Sequence, residues 1–380
     1  MKKTPLWLAF GGLCAMAAGI GIGRFVYTPI LPPMVEALHL AKSQAGLIAS
    51  ANFVGYLAGA LLAAWPGLPG RRRFWLMAGL GANAICLAGM GASQSLGLFM
   101  MLRLIAGVAS AFSLIFSSAL VLDRLARAGR SGLSALHFSG VGIGIAVSAA
   151  LVAAMLADHA DWSALWYASG AISLLAAIAV AFLVPPEEPA AQDAAPAEAH
   201  AGQGFAALIV AYGLFGFGYV ITATFLMVLV RGTPALVPLE PYAWIFVGLA
   251  AAPSTILWNW VAGRWGILKG FALAAIVEAI GVACSVLFLS TTAIVLAAVL
   301  LGGTFMGLTA LGLIAARASG TGDPRARLGM MTASFSAGQI VGPAFAGYVF
   351  EVTGSLTGPS LAAAGALLIA AALALFADRR

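Results

Sequence analysis

The sequence predicts an all-α membrane protein: twelve transmembrane helices in two pseudo-symmetric six-helix bundles. Three observations predict it. Hydrophobic residues make up 62% of the 380-residue chain and charged residues 8%, whereas soluble domains hold roughly 45–50% and 25%. The apolar residues fall into twelve runs of about 20 residues or more, the length that crosses a ~30 Å hydrocarbon core. The chain also repeats itself. Gly21-Ile-Gly-Arg-Phe-Val-Tyr-Thr-Pro-Ile-Leu-Pro-Pro33 returns in weaker form about 195 residues later as Gly216-Phe-Gly-Tyr-Val-Ile-Thr-Ala-Thr-Phe-Leu226. A duplicated six-span unit gives that offset and keeps both copies in one orientation.

The net charge of +6 does not describe a nucleic-acid partner, because the cations alternate with the spans. Lys2 and Lys3, Arg71 to Arg73, Arg124, Arg127 and Arg130, Arg264 and Lys269, Arg317, Arg325 and Arg327, and Arg379 and Arg380 fill every second gap. The alternate gaps hold only Lys42 and Arg231. This is the positive-inside pattern, and it places both termini in the cytoplasm. Cys14, Cys86 and Cys284 lie in apolar runs without pairing spacing and read as small packing residues, with no disulfide or metal expected.

Segment one covers residues 6–34. Its start resembles a signal peptide, but the apolar run is too long and a retained span is expected. Gly19 and Gly23 allow close helix packing, and Pro29, Pro32 and Pro33 are expected to end it. Segment two, with Ser43 as N-cap, reaches residue 65 and carries Gly55-x-x-x-Gly59. The tight basic turn 66–73 leads to segment three, 74–92. Segment four, 96–122, carries Arg103-x-x-x-Gly107-x-x-x-Ala111. Segment five, 132–156, holds His137 and Gly140-x-Gly-x-Gly144. Those glycines lie within an apolar run and not after a strand, so they read as helix packing and not as a nucleotide loop. Segment six, 162–184, opens with Trp162, Trp166 and Tyr167 as interface anchors.

Residues 1–184 therefore form an N-terminal six-helix bundle and residues 205–380 a C-terminal one. Residues 185–204, rich in Pro, Ala, Glu and Asp without hydrophobic period, read as a flexible cytoplasmic linker. The second bundle has segments at 205–230, 242–262, 270–289, 292–316, 328–350 and 358–376. Arg103, Gly107 and Ala111 match Val299, Gly303 and Gly307, and Phe138-Ser139 matches Phe335-Ser336.

Two six-helix halves, a central linker and a basic turn between spans two and three resemble the major facilitator superfamily. Arg103-x-x-x-Gly107 resembles its fourth-helix motif. Gly338-x-x-x-Gly342-Pro343-x-x-x-Gly347 resembles its antiporter Gly-Pro motif, here on segment eleven. The Gly21 to Pro33 stretch is similar to that of YbfB/YjiJ-type transporters. The resemblance implies the major facilitator fold, a monomeric secondary transporter of the bacterial inner membrane, and a small-molecule substrate reached by alternating access. It departs from the family pattern in three places. Pro69-Gly70 stand before the basic run in place of an acid, Gly140-Val-Gly142 lacks the proline of segment five, and Arg24 stands near where proton-coupled relatives carry an acid.

Arg24 lies eight residues before Pro32 and Arg103 eight residues after Ser95, so both sit about 12 Å below the same face at ~1.5 Å per residue. The resemblance places their two helices side by side on the central cavity. No acid in the first-half spans can neutralise them. A charge at that depth requires a partner, and the substrate can supply it. Guanidinium forks match carboxylate or phosphate, which implies an anionic substrate bound by Arg24 and Arg103. The alternative is that Arg24 snorkels or pairs with backbone carbonyls freed near Pro29, and that Arg103 serves gating.

Tyr27 and Thr28 follow Arg24 on its helical face and Tyr219 matches Arg24 through the repeat, so all three are expected to line the site, with aromatic packing the alternative for the tyrosines. Asn52, Asn259 and Gln339 read as interhelical hydrogen bonds. His137 and Glu278 are the proton-coupling candidates. For His137 the alternative is a structural hydrogen bond, and Glu278 is expected near the opposite face on a helix usually peripheral in the family. With no Ser-His-Asp set, paired intramembrane carboxylates or metal-ligand spacing, neither an enzyme nor a cofactor is expected. A proton-linked exporter of amphipathic drugs and a non-transporting membrane sensor are the competing readings.

Overall fold

A computed structural model describes residues 4–65, 67–185, 203–319 and 324–379. Among them are thirteen α-helices and no strand. The first set is α1 (Pro5–Met16), α2 (Tyr27–Leu38), α3 (Lys42–Ala64), α4 (Arg72–Gly91), α5 (Leu96–Arg127), α6 (Ser134–Ala157) and α7 (Trp162–Leu183). The second is α8 (Gln203–Arg231), α9 (Glu240–Trp265), α10 (Ile267–Leu287), α11 (Thr291–Ala318), α12 (Pro324–Thr353) and α13 (Thr357–Asp378). Eleven candidate spans are long and apolar enough to cross a membrane, with α1 and α2 counted as one. The remaining long helix, α12, carries Ser334, Ser336 and Gln339. Lys2, Lys3, Arg380 and most of the expected linker lie outside the described residues.

Each principal pairing in the first set has a counterpart in the second. α3 on α5 corresponds to α9 on α11, α4 on α7 to α10 on α13, and α1 on α6 to α8 on α12. Between the sets, α6 packs on α9 and α12 on α3, again as counterparts. Glycines make this closeness possible. The Gly55 position faces the Leu104 carbonyl and the Gly107 position faces the Asn52 carbonyl, so α3 and α5 touch backbone to backbone as the spacing predicts.

Three expectations are corrected. The prolines of segment one do not end it, and the helix runs on to Leu38. It restarts at Tyr27 after a break, so Pro29 falls in a first turn, where a missing N–H forfeits no helical bond. The stop comes from His39, left-handed at φ 50°, with Leu40 N–H returned to Val35 O at 3.2 Å. Ser43 is not the cap of α3. The helix begins at Lys42 after Ala41, whose N–H donates to Gln44 Oε1 at 3.0 Å. Trp166 is no interface anchor either. It is buried, 6.3 Å from the Tyr27 ring, while Tyr167 next to it is exposed.

The bundle has a basic end, with Arg71 to Arg73, Arg124, Arg127, Arg264, Lys269 and Arg317, and a far end. The two sets interlock toward the far end. Arg231 Nε meets Glu36 at 2.7 Å and Arg231 Nη1 meets Glu240 at 3.0 Å. Ser43 N–H donates to Glu351 at 3.3 Å, and Ser50 Oγ donates to Ile340 O at 2.7 Å. The Gly46 position lies on the Pro343 carbonyl and the Gly347 position on that of Lys42, a reciprocal pair. The glycines flanking Pro343 thus serve the joint between α3 and α12.

Candidate functional site

The site begins where the first span breaks. Residues Ala17–Ile22 form a π-turn and residues 23–26 an irregular turn before α2. Glycine weakens a helix, and here it also admits neighbours. A Cβ on Gly21 would stand 2.7 Å from the Gly144 Cα, and one on Gly23 would overlap the Asn83 amide. A π-turn leaves the regular carbonyl ladder. Gly23 N–H bonds back to Ala18 O at 3.0 Å, and Thr28 N–H goes to Phe25 O at 3.2 Å rather than to Arg24 O. The break leaves Gly23 O and Arg24 O without backbone donors and Ala18 O and Phe25 O with one each, and lipid supplies no others.

Side chains from three helices supply them. Arg103 Nη1 donates to Gly23 O and Nη2 to Arg24 O, both at 3.1 Å. Asn83 Nδ2 donates to Ala18 O at 2.9 Å, and Trp244 Nε1 to Phe25 O at 3.2 Å. Arg103 is itself steadied by the Tyr27 ring, 5.0 Å from its guanidinium carbon, and Asn52 Nδ2 donates to its carbonyl at 2.9 Å. The pairing with freed carbonyls that the sequence allowed for Arg24 is made by Arg103.

Arg24 is left with a different environment. It is only 7% exposed, and its Nε and Nη2 have no hydrogen-bond partner. Its guanidinium carbon lies 4.4 Å from the Tyr56 ring, 4.9 Å from Phe53 and 5.8 Å from Phe25. These faces attract the cation but neutralise nothing.

Tyr219 stands across from it on α8, near enough for the two to interact electrostatically. Its ring lies parallel to those of Phe305 and Phe335, each centroid 5.8 Å away, at interplanar angles of 7° and 4°. Gln339 Nε2 donates to its hydroxyl, and Gln339 Oε1 is unpartnered. A narrow crevice between the sets runs past Phe25, Tyr219, Trp244 and Phe305. Another, of about 260 Å³, opens toward the far end beside Pro29, Met227 and Glu240.

The other expected site residues separate from this centre. Tyr27 hydroxyl donates to Ala45 O at 2.8 Å and Thr28 Oγ1 to Ala223 O at 2.6 Å, across the two sets. The break upsets the helical arithmetic that put both beside Arg24, so Tyr27 packs on Arg103 instead. His137 lies toward the basic end, where its Nε2 is 3.2 Å from Ser118 Oγ and the bare Gly12 leaves room for its ring. Glu278 sits on α10, which packs against second-half helices, α11 and α13 above all. It is mid-helix in α10 and 0% exposed, against Thr304 of α11 and within electrostatic reach of Tyr219. Both its oxygens lack partners. Asn259 is exposed. Among the described residues, no group of three His, Cys, Asp or Glu could hold a metal.

Sequence reasoning missed Phe53, Tyr56, Asn83, Trp244 and Thr304. Two signals were available: Tyr56 shares a helical face with Asn52 at i,i+4, and Asn83 is a lone amide within an apolar run.

A family model described as "Uncharacterised MFS-type transporter YbfB" matches residues 16–375. The chain belongs to that family. MFS proteins of known structure share its fold. The nucleoside transporter NupG, as a D323A mutant, superposes with a TM-score of 0.77 at 16% identity, over 98% of this chain and 99% of its own. A bacterial homologue of the human lysosomal transporter Spinster, inward-facing and occupied, gives 0.74 at 17% identity, over 98% and 96%. None of the curated proteins compared is a significant match. The chain is thus a multi-pass MFS transporter rather than an enzyme, and the break with its orphaned arginine lies in the first helix of an MFS bundle.

Proposed function

We propose that this transporter moves a small organic anion across the bacterial inner membrane by alternating access. The observation that carries the reading is Arg24, buried among aromatic rings with two guanidinium nitrogens unpartnered. A cation held there at a cost of a few kcal/mol is explained by an anion that arrives and leaves. Arg24 binds the charge. Arg103 shapes the site by holding the broken helix, with Tyr27 behind it and Thr28 tying the wall to α8. Tyr219 and Gln339 face the ligand from the second half.

Residues 1–184 and 205–380 are the two bodies that rock, joined by 185–204, and the protein works as a monomer. The basic end is cytoplasmic with both termini, so the interlocked far end is the closed periplasmic gate. Glu278 is the proton carrier if transport is proton-coupled, since it is a fully buried carboxylate with no cation paired to it among the described residues. His137, hydrogen-bonded to Ser118 of α5 and packed against Gly12 of α1, is structural. A nucleoside is the second reading, favoured by the aromatic wall and by the likeness to NupG.

Thermal stabilisation of the purified protein tests the reading. Organic acids and sugar phosphates are compared with nucleosides and lipophilic cations, on the parent and on Arg24→Gln. A ligand at a hundred times its dissociation constant stabilises by about 2.7 kcal/mol. Stabilisation by anions that disappears in Arg24→Gln is expected. Stabilisation by lipophilic cations, or anion binding indifferent to the substitution, would return the drug exporter to first place.

A further inference from the structure

We infer that the anion carries a planar aromatic body and a single carboxylate-type charge. This inference rests on the anion reading and narrows it. The geometry has two parts. One is the cation: Arg24 offers Nε and Nη2, adjacent donors on one edge of the guanidinium fork, which is the edge that two carboxylate oxygens match. Arg103 spends both Nη groups on Gly23 O and Arg24 O and keeps only its Nε without a partner, so it presents no free fork edge to the ligand. One free fork suits a monoanion better than a dianion.

The other part is the ring surface. Phe305 and Phe335 each lie within 7° of parallel to the Tyr219 ring, and all three come from the second half of the chain. The stack therefore moves as one body when the halves rock. Phe25, from the first half, meets Phe305 edge-on at 5.6 Å and 64°. That contact crosses the interface, as does Phe25 on Trp244, so both separate as the halves move. A flat ligand entering beside Arg24 replaces the Phe25 edge with its own ring against the face of Phe305 that Phe25 uncovers, leaving the stack behind it undisturbed. A puckered aliphatic body of equal size fills the space without the ring-on-ring preference. At the polar rim, Gln339 Oε1 is buried without a partner, an acceptor for a ring hydroxyl or amine on the ligand.

The probes are benzoate, cyclohexanecarboxylate and benzamide, which share a size and differ in planarity or charge. Binding is measured by calorimetry on the full chain in nanodiscs. Benzoate is expected to bind about five- to tenfold tighter than cyclohexanecarboxylate, and benzamide at least about tenfold weaker than benzoate. Phe305→Leu keeps bulk and removes the plane. It should erase the benzoate preference while moving cyclohexanecarboxylate by less than about twofold. Arg24→Gln should weaken both carboxylates by about tenfold or more. Arg24→Lys, which keeps a charge without the fork and serves if Arg24→Gln does not fold, should weaken both by a smaller factor. Equal binding of the two carboxylates, each lost in Arg24→Gln, would overturn the aromatic inference and leave the anion reading standing. Benzamide binding as tightly as benzoate, or carboxylate binding insensitive to Arg24, would overturn the anion reading itself. Failure of all three probes to bind at millimolar concentration would overturn both.

Discussion

Replacing Arg103 with methionine separates a brace from a ligand. The substitution removes two hydrogen bonds, each 3.1 Å, to the carbonyls of Gly23 and Arg24, and a guanidinium packed 5.0 Å from the Tyr27 ring. Interhelical hydrogen bonds inside membranes average ~0.6 kcal/mol and reach ~1.7. Bonds from a charged donor belong near the upper figure, so two of them sum to about 3 kcal/mol, and the ring contact adds about 0.5–1. Relief from burying a guanidinium offsets part of this, which leaves a net loss of about 2–3 kcal/mol. Arg103→Lys should fall between, since an ammonium reaches one carbonyl well and not both. The assay is denaturant unfolding in mixed micelles, read by linear extrapolation, alongside anion binding on the folded fraction. The expected result is a destabilised Arg103→Met protein that still binds anion within about tenfold of the parent. A variant that unfolds with the parent yet has lost binding would refute the reasoning and make Arg103 a substrate ligand.

Four further outcomes are expected, from two assays. Gly46→Val places a side chain on the Pro343 carbonyl, so the far end should no longer close. Maleimide labelling of Ser50→Cys, in a background without Cys14, Cys86 and Cys284, should then accelerate at least about tenfold. Glu36→Gln removes only a partly exposed ion pair and should change it by less than about fivefold. In proteoliposomes, Glu278→Gln should abolish the response of uptake to a pH gradient while leaving substrate exchange intact, and His137→Asn should keep that response. A His137→Asn protein that loses it would exchange the roles assigned to the two residues.

The twelve-run pattern and the repeat were legible because they are properties of composition and spacing. So were the glycine contacts at Gly55 and Gly107, since small residues four apart have few other uses in a span. The division of labour between Arg24 and Arg103 was not. Residue counting placed both at one depth, but which arginine serves the backbone depends on the break at residues 17–26, and a break is decided by what three neighbouring helices offer its carbonyls. The burial of Glu278 was hidden for a related reason. Depth can be counted along a chain, whereas the side of a helix that faces the centre depends on how the whole bundle is rotated. The aromatic stack joins residues of α8, α11 and α12, separated by dozens of positions, and no local pattern links Tyr219 to Phe305 or Phe335.

The four carbonyls of the broken helix do not all have donors from the same half. Asn83 and Arg103 travel with the first half, but Trp244 reaches Phe25 O from the second. When the far end parts, that bond has to break, and Phe25 O keeps only the Thr28 N–H. A bond worth about 1 kcal/mol is roughly fivefold in the ratio of the two conformers. Trp244 therefore sets a resting bias for the transport cycle from a position that need never touch the cargo. Because apparent affinity scales with the fraction of protein in the binding-competent state, a change as small as Trp244→Phe would retune the affinity seen from each side of the membrane in opposite directions.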